Sequence, residues 1–323
     1  MEILIKYILL ALSLFVMEWI YMKIATRFHI VDIPKARSSH TVPTIRGGGV
    51  IIYVAAVAHF VFSGWDYPLF MMGLTIIAVI SFWDDISSIP PWLKLILYTA
   101  CVALMMSQYH AFEHPWYYTI PAVVICMGVL NAFNFMDGVN GMTVGYSMVL
   151  LLTLIYMDRH VIWFMKMDFL LVAFIAVVVF GFFNFRNKAL CFMGDVGAFC
   201  IASVVLFAFG TMMLATRNFS YVCFLGVYGV DVCMTLLRRI LLKQPILQAH
   251  RMHAYQILAN EMKMPHLVVT GLYMAAQTLI IVGYFVFANG RSIHRAYALG
   301  VLALLVLAYI LIARKYVPTE KLC

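Results

Sequence analysis

The sequence predicts an all-α integral membrane protein, a polytopic bundle of about 10–11 transmembrane helices. Of its 323 residues, 65% are hydrophobic and only 11% are charged, whereas soluble domains carry about 25% charged residues. Eleven apolar runs approach the ~20 residues that a spanning helix needs. No run shows the alternating hydrophobicity of a transmembrane barrel strand, so the spans are predicted to be helices.

The predicted spans follow one another with short connections. In chain order they cover residues 3–22, 47–63, 67–83, 92–107, 117–134, 142–157, 167–184, 196–214, 220–236, 267–288 and 295–313. The runs at 92–107 and 142–157 are the weakest, because they fall just below the usual length of about 17–25 residues. No repeat or linker divides the chain, so residues 1–323 are predicted to form one polytopic domain.

The basic residues predict the orientation. With the N-terminus outside, 16 of the 22 Lys and Arg residues fall in inner segments and 6 in outer ones, which places the C-terminus in the cytoplasm. The polar motifs gather on the same side, so we expect a cytoplasmic active site on these connections. Nothing in the sequence indicates nucleic-acid binding. The inner connections are residues 23–46, 83–91, 134–141, 185–195 and 237–266.

Two adjacent carboxylates, Asp84 and Asp85, end the third predicted span. A polar helix end meeting water is the simple interpretation. However, the helix dipole disfavours two anions at a C-terminus, so a positive group should compensate for them. A divalent metal and Lys94 are the two candidates.

The stretch NAFNFMDGVNG (131–141) closes the fifth span. Asn131, Asn134 and Asp137 recur at i, i+3 and i+6, so they share a helix face. Polar groups at membrane depth are unfavourable unless they face a cavity or a ligand. A structural polar seam between helices is the alternative.

Two glycine-containing stretches start later spans. In FMGDVGAF (192–199), Asp195 lies between two glycines and is either a functional acid or an ordinary helix cap. In DIPKARSSHTVPTIRGGG (32–49), three glycines open the second span. Their N–H groups could approach a phosphate, or the small residues could allow close helix packing.

The segment 231–256 carries an acid within a span and a basic cluster after it. Asp231 is costly at membrane depth. His250 and His253 are spaced i, i+3, and Arg251 offers a planar fork suited to phosphate oxygens. A solvated basic loop is the alternative interpretation.

Taken together, these motifs indicate phosphoryl transfer. Carboxylates with asparagine form a hard-oxygen site for Mg²⁺ or Mn²⁺, and Arg, His and Lys form an anion site. A metal ion beside a basic clamp is the apparatus of phosphoryl transfer. The location implies one water-soluble substrate and one membrane-bound substrate.

The same residues resemble a known family, the polyprenyl-phosphate N-acetylhexosamine-1-phosphate transferases, which include phospho-MurNAc-pentapeptide translocase. RSSHTVPTIRGGG is similar to the family's RSSH…TPRGGG segment, and the aspartate pair with Lys94 to its DD…K motif. NAFNFMDGVNG resembles NxxNxxDGxxG, and FMGDVGA resembles FxGDxGS. Asp231, the following arginines and HRMHAYQ resemble the D…RR…DRxHxHH region. The resemblance extends from about residue 30 to residue 260.

The resemblance implies transfer of a sugar 1-phosphate from a UDP-N-acetylhexosamine to polyprenyl phosphate at the bacterial inner membrane, with UMP released. It implies Mg²⁺ (or Mn²⁺) as cofactor, membrane lipid as partner, and a homodimer. Asp84 and Asp85 would assist the lipid phosphate. The expected site residues are Asp84, Asp85 and Asp195 as catalytic groups, Asp195 and Asn134 as metal ligands, and Lys94, Asp137, Asn184, His250, Arg251 and His253 as substrate-binding groups.

Some positions depart from the family pattern. Ile45 replaces a proline, Asn140 a second aspartate, and Ala198 a serine. HAYQ replaces HxHH, a variant associated with branches that initiate O-antigen or capsule synthesis. Two other functions fit the sequence, namely that of a membrane transporter and that of a non-catalytic polyprenyl-phosphate-binding relative.

Overall fold

The computed structural model describes residues 1–34, 39–245, 250–288, 290 and 292–315. Lys35, Arg37 and Ser38 of the 32–49 motif therefore lie outside the described residues. The helices are α1 (Glu2–Arg27), α2 (Val50–Phe62), α3 (Pro68–Ile86), α4 (Pro91–Gln108), α5 (Trp116–Met136), α6 (Met142–His160), α7 (Met167–Asn184), α8 (Gly194–Thr216), α9 (Gly226–Leu241), α10 (Ala254–Gln256), α11 (His266–Gly283) and α12 (His294–Lys315).

Short elements complete the described chain. Two 3₁₀ segments cover Ala111–Glu113 and Phe219–Leu225, and two π segments cover Ile257–Glu261 and Tyr284–Ala288. Strands β1 (Val31–Asp32) and β2 (Thr44–Ile45) pair antiparallel, and Ile45 also forms a parallel bridge with Cys191. This small ladder ties the loop after α1 to the segment that leads into α8.

Each predicted span coincides with a helix of the described residues, which confirms the all-α polytopic class. Eight helical segments in the described part of the chain are long and apolar enough to cross a membrane, rather than eleven. The helices that fall short are α2, α4 and α6. Helix α2 has only 13 residues, because the glycines predicted to open the span form a turn instead.

Helix α8 lies at the centre of the bundle. In its most apolar stretch 72% of the residues are buried, against 11% for α1 and 17% for α12. It packs against α2, α3, α5 and α6. Residues at the start of α8 are therefore surrounded by the ends of other helices.

Polar side chains from several helix ends meet at one end of the bundle. Lys94 at the start of α4 pairs with Asp84 at the end of α3. Asp85 binds the start of α8, and Asn184 at the end of α7 binds the turn before α6. We call this region, marked by Asp84, Lys94 and Asp195, the polar end.

The opposite end is held by a buried acid in α6. Oδ1 of Asp158, a residue only 6% exposed, accepts hydrogen bonds from the N–H groups of Phe164 at 2.9 Å and Met165 at 3.0 Å. Asp158 thereby fixes the connection between α6 and α7.

We expect Asp158→Ala to destabilise the fold without acting on the polar end. The substitution leaves two buried N–H groups without their acceptor, a loss of about 1–3 kcal/mol of unfolding free energy. Thermal denaturation in detergent measures it, with Glu113→Ala as control, since the Glu113 side chain is 75% exposed. Equal midpoints for the two variants would contradict the assignment.

Candidate active site

An arginine side chain joins two of the predicted carboxylates. Nε of Arg46 lies 2.6 Å from Oδ1 of Asp85, and its Nη2 lies 2.6 Å from Oδ1 of Asp195. Burial acts to lower the pKa of the Arg46 guanidinium, but Asp85 and Asp195 raise that pKa above its usual value. The side chain therefore stays charged and links α3, α8 and the segment before α2.

Asp85 also caps the start of α8. Its side chain is 0% exposed. The N–H of Asp195 donates to Oδ1 at 2.9 Å, and the N–H of Val196 donates to Oδ2 at 3.1 Å. Because the first N–H groups of a helix lack intrahelical partners and carry partial positive charge, they stabilise a carboxylate there. Asp85 thus fastens α3 to α8.

Asp84 points to a different neighbour. Its Oδ2 pairs with Nζ of Lys94, and its Oδ1 accepts a hydrogen bond from the N–H of Ile89 at 2.8 Å. The positive group that two adjacent acids require is therefore Lys94 for Asp84 and Arg46 for Asp85. The Asp84 side chain is 9% exposed and that of Asp195 is 15% exposed.

The glycines before α2 pack against the start of α8. The N–H of Gly48 donates to the carbonyl of Phe192 at 3.1 Å, and that of Gly49 to the carbonyl of Met193 at 3.0 Å. A Cβ atom on Gly49 would lie 2.3 Å from Cα of Gly197, which no side chain tolerates. Since these N–H groups bind the protein itself, close packing explains the glycines and the phosphate-binding alternative does not.

Asp137 lies just past the end of α5, near the carboxylate cluster. Burial raises the pKa of its carboxyl to about 7, the Thr143 hydroxyl lowers it, and Asp195 raises it further. Asn134 lies on the last turn of α5. Nδ2 of Asn131 donates at 2.8 Å to the carbonyl of Met127, one turn earlier in the same helix.

Asn184 supports the turn before α6. Its Oδ1 accepts a hydrogen bond from the N–H of Gly141 at 2.8 Å, and its Nδ2 donates to the carbonyl of Cys191 at 2.9 Å. The residue is only 4% exposed. Its amide is thus engaged at both atoms with main chain, which gives Asn184 a supporting role in this turn, and its expected contact with substrate stays a prediction.

Asn140 has a similar supporting role. Its Nδ2 donates to the carbonyls of Arg186 at 2.9 Å and Asn187 at 3.1 Å. It thereby joins the turn before α6 to the loop after α7. The family pattern has a second aspartate at this position. The Asn140 amide donates to two carbonyl groups, and an aspartate carboxylate could not donate to either of them.

Asp231, inside α9, holds the loop that carries the histidines. Its Oδ1 accepts from the N–H of Ala254 at 2.9 Å, and its Oδ2 from the N–H of Tyr255 at 3.3 Å and the hydroxyl of Tyr273 at 2.6 Å. Nδ1 of His253 lies 3.3 Å from Oδ1. These contacts satisfy the buried acid and orient the His253 ring.

His250 lies beside His253, with ring centroids 4.9 Å apart. Burial, and then His253 and Arg239, lower the pKa of His250 to about 3, so its ring is neutral near pH 7. A neutral ring can contact an anion only through its N–H. Arg251 follows in the same loop and is partly buried.

Tyr255 connects this loop to the end of α5. Its hydroxyl donates to the carbonyl of Phe135 at 2.8 Å. A Cβ atom on Gly138 would lie 2.1 Å from the Tyr255 hydroxyl oxygen, so the glycine makes room for the tyrosine. In HAYQ, the tyrosine thus occupies a packing position against the Asp137 turn.

Three residues that position the site were not predicted from the sequence. Arg46 was counted only as a basic residue, although it directly precedes the glycines. Tyr21 donates its hydroxyl to the carbonyl of Arg46 at 2.5 Å. Glu18, only 1% exposed, lies against Gly48. Glu18 could have been found from the sequence, because it is the single acidic residue within the first apolar run, 3–22.

The magnesium ligands expected from the sequence are Asp195 and Asn134. Among the described residues, no group of three or more His, Cys, Asp or Glu side chains could hold a metal ion. Mg²⁺ is usually bound through one or two carboxylates together with water and substrate phosphates. Asp195 and Asn134 offer the hard oxygen atoms that it prefers.

Residues 67–215 match the family described as Glycosyl transferase family 4. This segment contains the Asp84–Asp85 pair, the 131–141 motif and Asp195. Arg46 and the 231–256 segment lie outside it.

The chain is also similar to curated bacterial proteins. A "Probable undecaprenyl-phosphate N-acetylglucosaminyl 1-phosphate transferase" of Bacillus subtilis is 26% identical over 274 residues, 79% of this chain and 76% of the relative. An undecaprenyl-phosphate alpha-N-acetylglucosaminyl 1-phosphate transferase of Thermotoga maritima is 26% identical over 73% of this chain and 75% of the relative. A phospho-N-acetylmuramoyl-pentapeptide-transferase of Lacticaseibacillus paracasei is 23% identical over 62% and 73%. Over residues 67–215 the chain is similar to glycosyl transferase family 4, in agreement with the resemblance that its motifs predict.

Proposed function

We propose that this protein transfers a sugar 1-phosphate from a UDP-N-acetylhexosamine to a polyprenyl phosphate, with undecaprenyl phosphate as the acceptor. The products are polyprenyl-diphospho-sugar and UMP. The observation that carries the proposal is the meeting of Asp84, Asp85 and Asp195 with Arg46 and Lys94 at one end of a membrane bundle. Such a site admits a lipid phosphate from the bilayer and a nucleotide sugar from water. The names of the relatives support this reaction class.

The reaction joins two anions. An oxygen of the lipid phosphate attacks the β-phosphorus of the UDP-sugar, and the bond from that phosphorus to the bridging oxygen breaks, so that UMP leaves with the electron pair. A phosphomonoester has a second pKa of about 6, so the attacking phosphate is already largely deprotonated near neutral pH. Charge repulsion is then the larger barrier, and cationic side chains at the polar end reduce it.

The other expected residues have roles consistent with their placement. Mg²⁺, or alternatively Mn²⁺, held by Asp195 and Asn134 would neutralise charge on the diphosphate. Asp137 would hold the nucleotide. Arg251 and His253 would grip the diphosphate from the loop that Asp231 anchors.

Asp84 and Asp85 have different roles in the proposed reaction. Two roles compete for an aspartate here, namely deprotonation of the lipid phosphate and formation of a transient phospho-aspartyl intermediate. Both oxygens of each acid have partners, but the Asp85 side chain is 0% exposed whereas that of Asp84 is 9% exposed. We therefore assign either role to Asp84 and a positioning role to Asp85.

The site faces the cytoplasm of the bacterial inner membrane in this proposal. The excess of Lys and Arg in the segments of the polar end supports that orientation. HAYQ in place of HxHH supports a role in initiating O-antigen or capsule synthesis. A homodimer is proposed by family resemblance only.

A transporter fits the structure less well. Transporters place polar groups near the membrane midplane between two structurally repeated halves. Here the motif side chains gather at one end of the bundle. A non-catalytic relative would bind polyprenyl phosphate but would not release UMP.

One assay tests the proposed reaction directly. Purified protein in detergent receives undecaprenyl phosphate, Mg²⁺ and a panel of UDP-N-acetylhexosamines, and lipid-linked product and UMP are measured. Product from at least one sugar is the expected result and also identifies the donor. Binding of the lipid without any UMP release would contradict the proposal and favour the non-catalytic alternative.

We expect Asp195→Asn to reduce transfer by at least about 100-fold. The neutral amide weakens both metal binding and the ion pair with Arg46. The initial rate of UMP release at saturating Mg²⁺ is the measurement. Asp168→Asn is the matched control, because Asp168 pairs with Lys6 away from the polar end. Near-normal transfer by Asp195→Asn would rule out its catalytic role.

We expect Asp85→Asn mainly to lower the stability of the protein and Asp84→Asn mainly to lower its transfer rate. Breaking the buried Arg46–Asp85 pair should lower the unfolding free energy by about 3–5 kcal/mol. Asp84→Asn should abolish transfer with a smaller change in the thermal midpoint, because its partner Lys94 is 27% exposed and water can solvate it. Denaturation midpoints and transfer rates are measured on both variants. A larger loss of stability in Asp84→Asn would reverse the assignment.

Isotope exchange separates the two catalytic roles of Asp84. Labelled UMP should enter the UDP-sugar in the absence of lipid only if a phospho-aspartyl intermediate forms. Direct attack by the lipid phosphate predicts no exchange without lipid. Asp84→Asn serves as the blank for either outcome.

A further inference from the structure

Arg46 has a constrained backbone and a side chain that is partly accessible. Its carbonyl accepts the Tyr21 hydroxyl at 2.5 Å, and its N–H donates to the carbonyl of Ile30 at 3.2 Å. The following Gly48 and Gly49 are bound to the segment before α8. The Arg46 side chain is nevertheless 30% exposed. Its guanidinium can therefore change partners by side-chain rotation, without movement of the main chain.

The two carboxylates that Arg46 contacts are not equivalent. Asp85 binds Nε of Arg46 and also receives the N–H groups of Asp195 and Val196, so it holds the arginine when Nη2 leaves Asp195. The Asp195 carboxylate is the more exposed of the two and is held by Nη2 of Arg46 at 2.6 Å. A cation that approaches Asp195 therefore meets a carboxylate already paired with a positive group.

Electrostatics opposes two cations at one carboxylate. A divalent ion on Asp195 lowers the attraction between that carboxylate and Arg46 and repels the guanidinium directly. The displaced guanidinium is a planar fork that matches phosphate oxygens. Phosphates are the anions that the proposed reaction brings to the polar end.

We propose that Arg46 is an exchangeable counter-ion, which competes with the divalent cation for the Asp195 carboxylate and, once displaced, binds the phosphate oxygens of the substrate. This inference rests on the proposed function for its phosphate ligand, but the competition with the cation does not depend on catalysis. It makes Arg46, which lies outside the matched residues 67–215, a substrate-binding residue of the site.

The competition is tested by Mn²⁺ binding to the full-length protein in detergent, without substrate. Free Mn²⁺ is measured by electron paramagnetic resonance for the wild type, Arg46→Gln and Arg46→Lys. We expect Arg46→Gln to bind Mn²⁺ at least about tenfold more tightly, since the lost charge-assisted contact no longer competes. Arg186→Gln is the control, because Arg186 contacts the Phe182 carbonyl and ring rather than a carboxylate. Unchanged or weaker Mn²⁺ binding by folded Arg46→Gln would overturn the proposal.

The second arm measures phosphate binding at saturating Mn²⁺. Farnesyl phosphate and UMP are titrated separately, so that the lipid and the nucleotide phosphate are distinguished. We expect Arg46→Gln to weaken at least one of them about tenfold. Equal affinity of wild type and variant for both ligands would overturn the phosphate-binding half.

If Arg46→Gln does not fold, the same two affinities are measured on Arg46→Lys, which keeps a positive charge at this position. One ammonium group cannot bridge both carboxylates as the fork does, so Mn²⁺ should bind more tightly than in the wild type and the phosphate ligand more weakly. No change in either affinity would overturn the proposal. A protein that shows these shifts but transfers no sugar phosphate would refute the proposed function and leave the cation exchange standing.

Discussion

The Asp85 carboxylate is buried where three segments distant in the sequence meet: the end of α3, the start of α8 and the turn before α2. It receives the guanidinium of Arg46 and two N–H groups of α8. A buried charge is tolerated only when it is paired and hydrogen-bonded, so these segments must stay together. The backbone contact between Gly49 and Gly197 depends on the same alignment. The rest of the polar end is built on this junction.

Adjacent side chains in a helix point about 100° apart. Asp84 and Asp85 therefore face different neighbours. Asp85 faces α8, where it is fully enclosed, whereas Asp84 faces α4 and Lys94. The enclosed Asp85 fixes the framework, whereas the carboxylates of Asp84 and Asp195 are partly exposed. In the proposed function, a single DD pair would thereby provide both a structural group and a reactive one.

The sequence predicted the helices and the meeting of their polar ends, because apolar length fixes each span and alternating direction brings Asp84, Asp137 and Asp195 to one end. It also offered Lys94 as a partner of the aspartate pair, and Lys94 does pair with Asp84, but it did not predict the partners of Asp85 and Asp195. Helical periodicity gives a face but not the neighbour across it, so Arg46 remained one basic residue among many. The supporting role of Asn184 was not predicted for the same reason, since its main-chain partners come from the turn before α6 and the segment before α8. The glycines before α2 were read as helix because their contact with α8 is invisible in composition.

Asp231 holds the loop at 253–255 largely through the N–H groups of Ala254 and Tyr255. Backbone amides are present whatever side chain a residue carries, so this attachment survives most replacements within the loop. Natural variation can therefore alter the chemical character of the loop surface without releasing it from the bundle. Such an arrangement separates the side-chain chemistry of the loop surface from the maintenance of the fold.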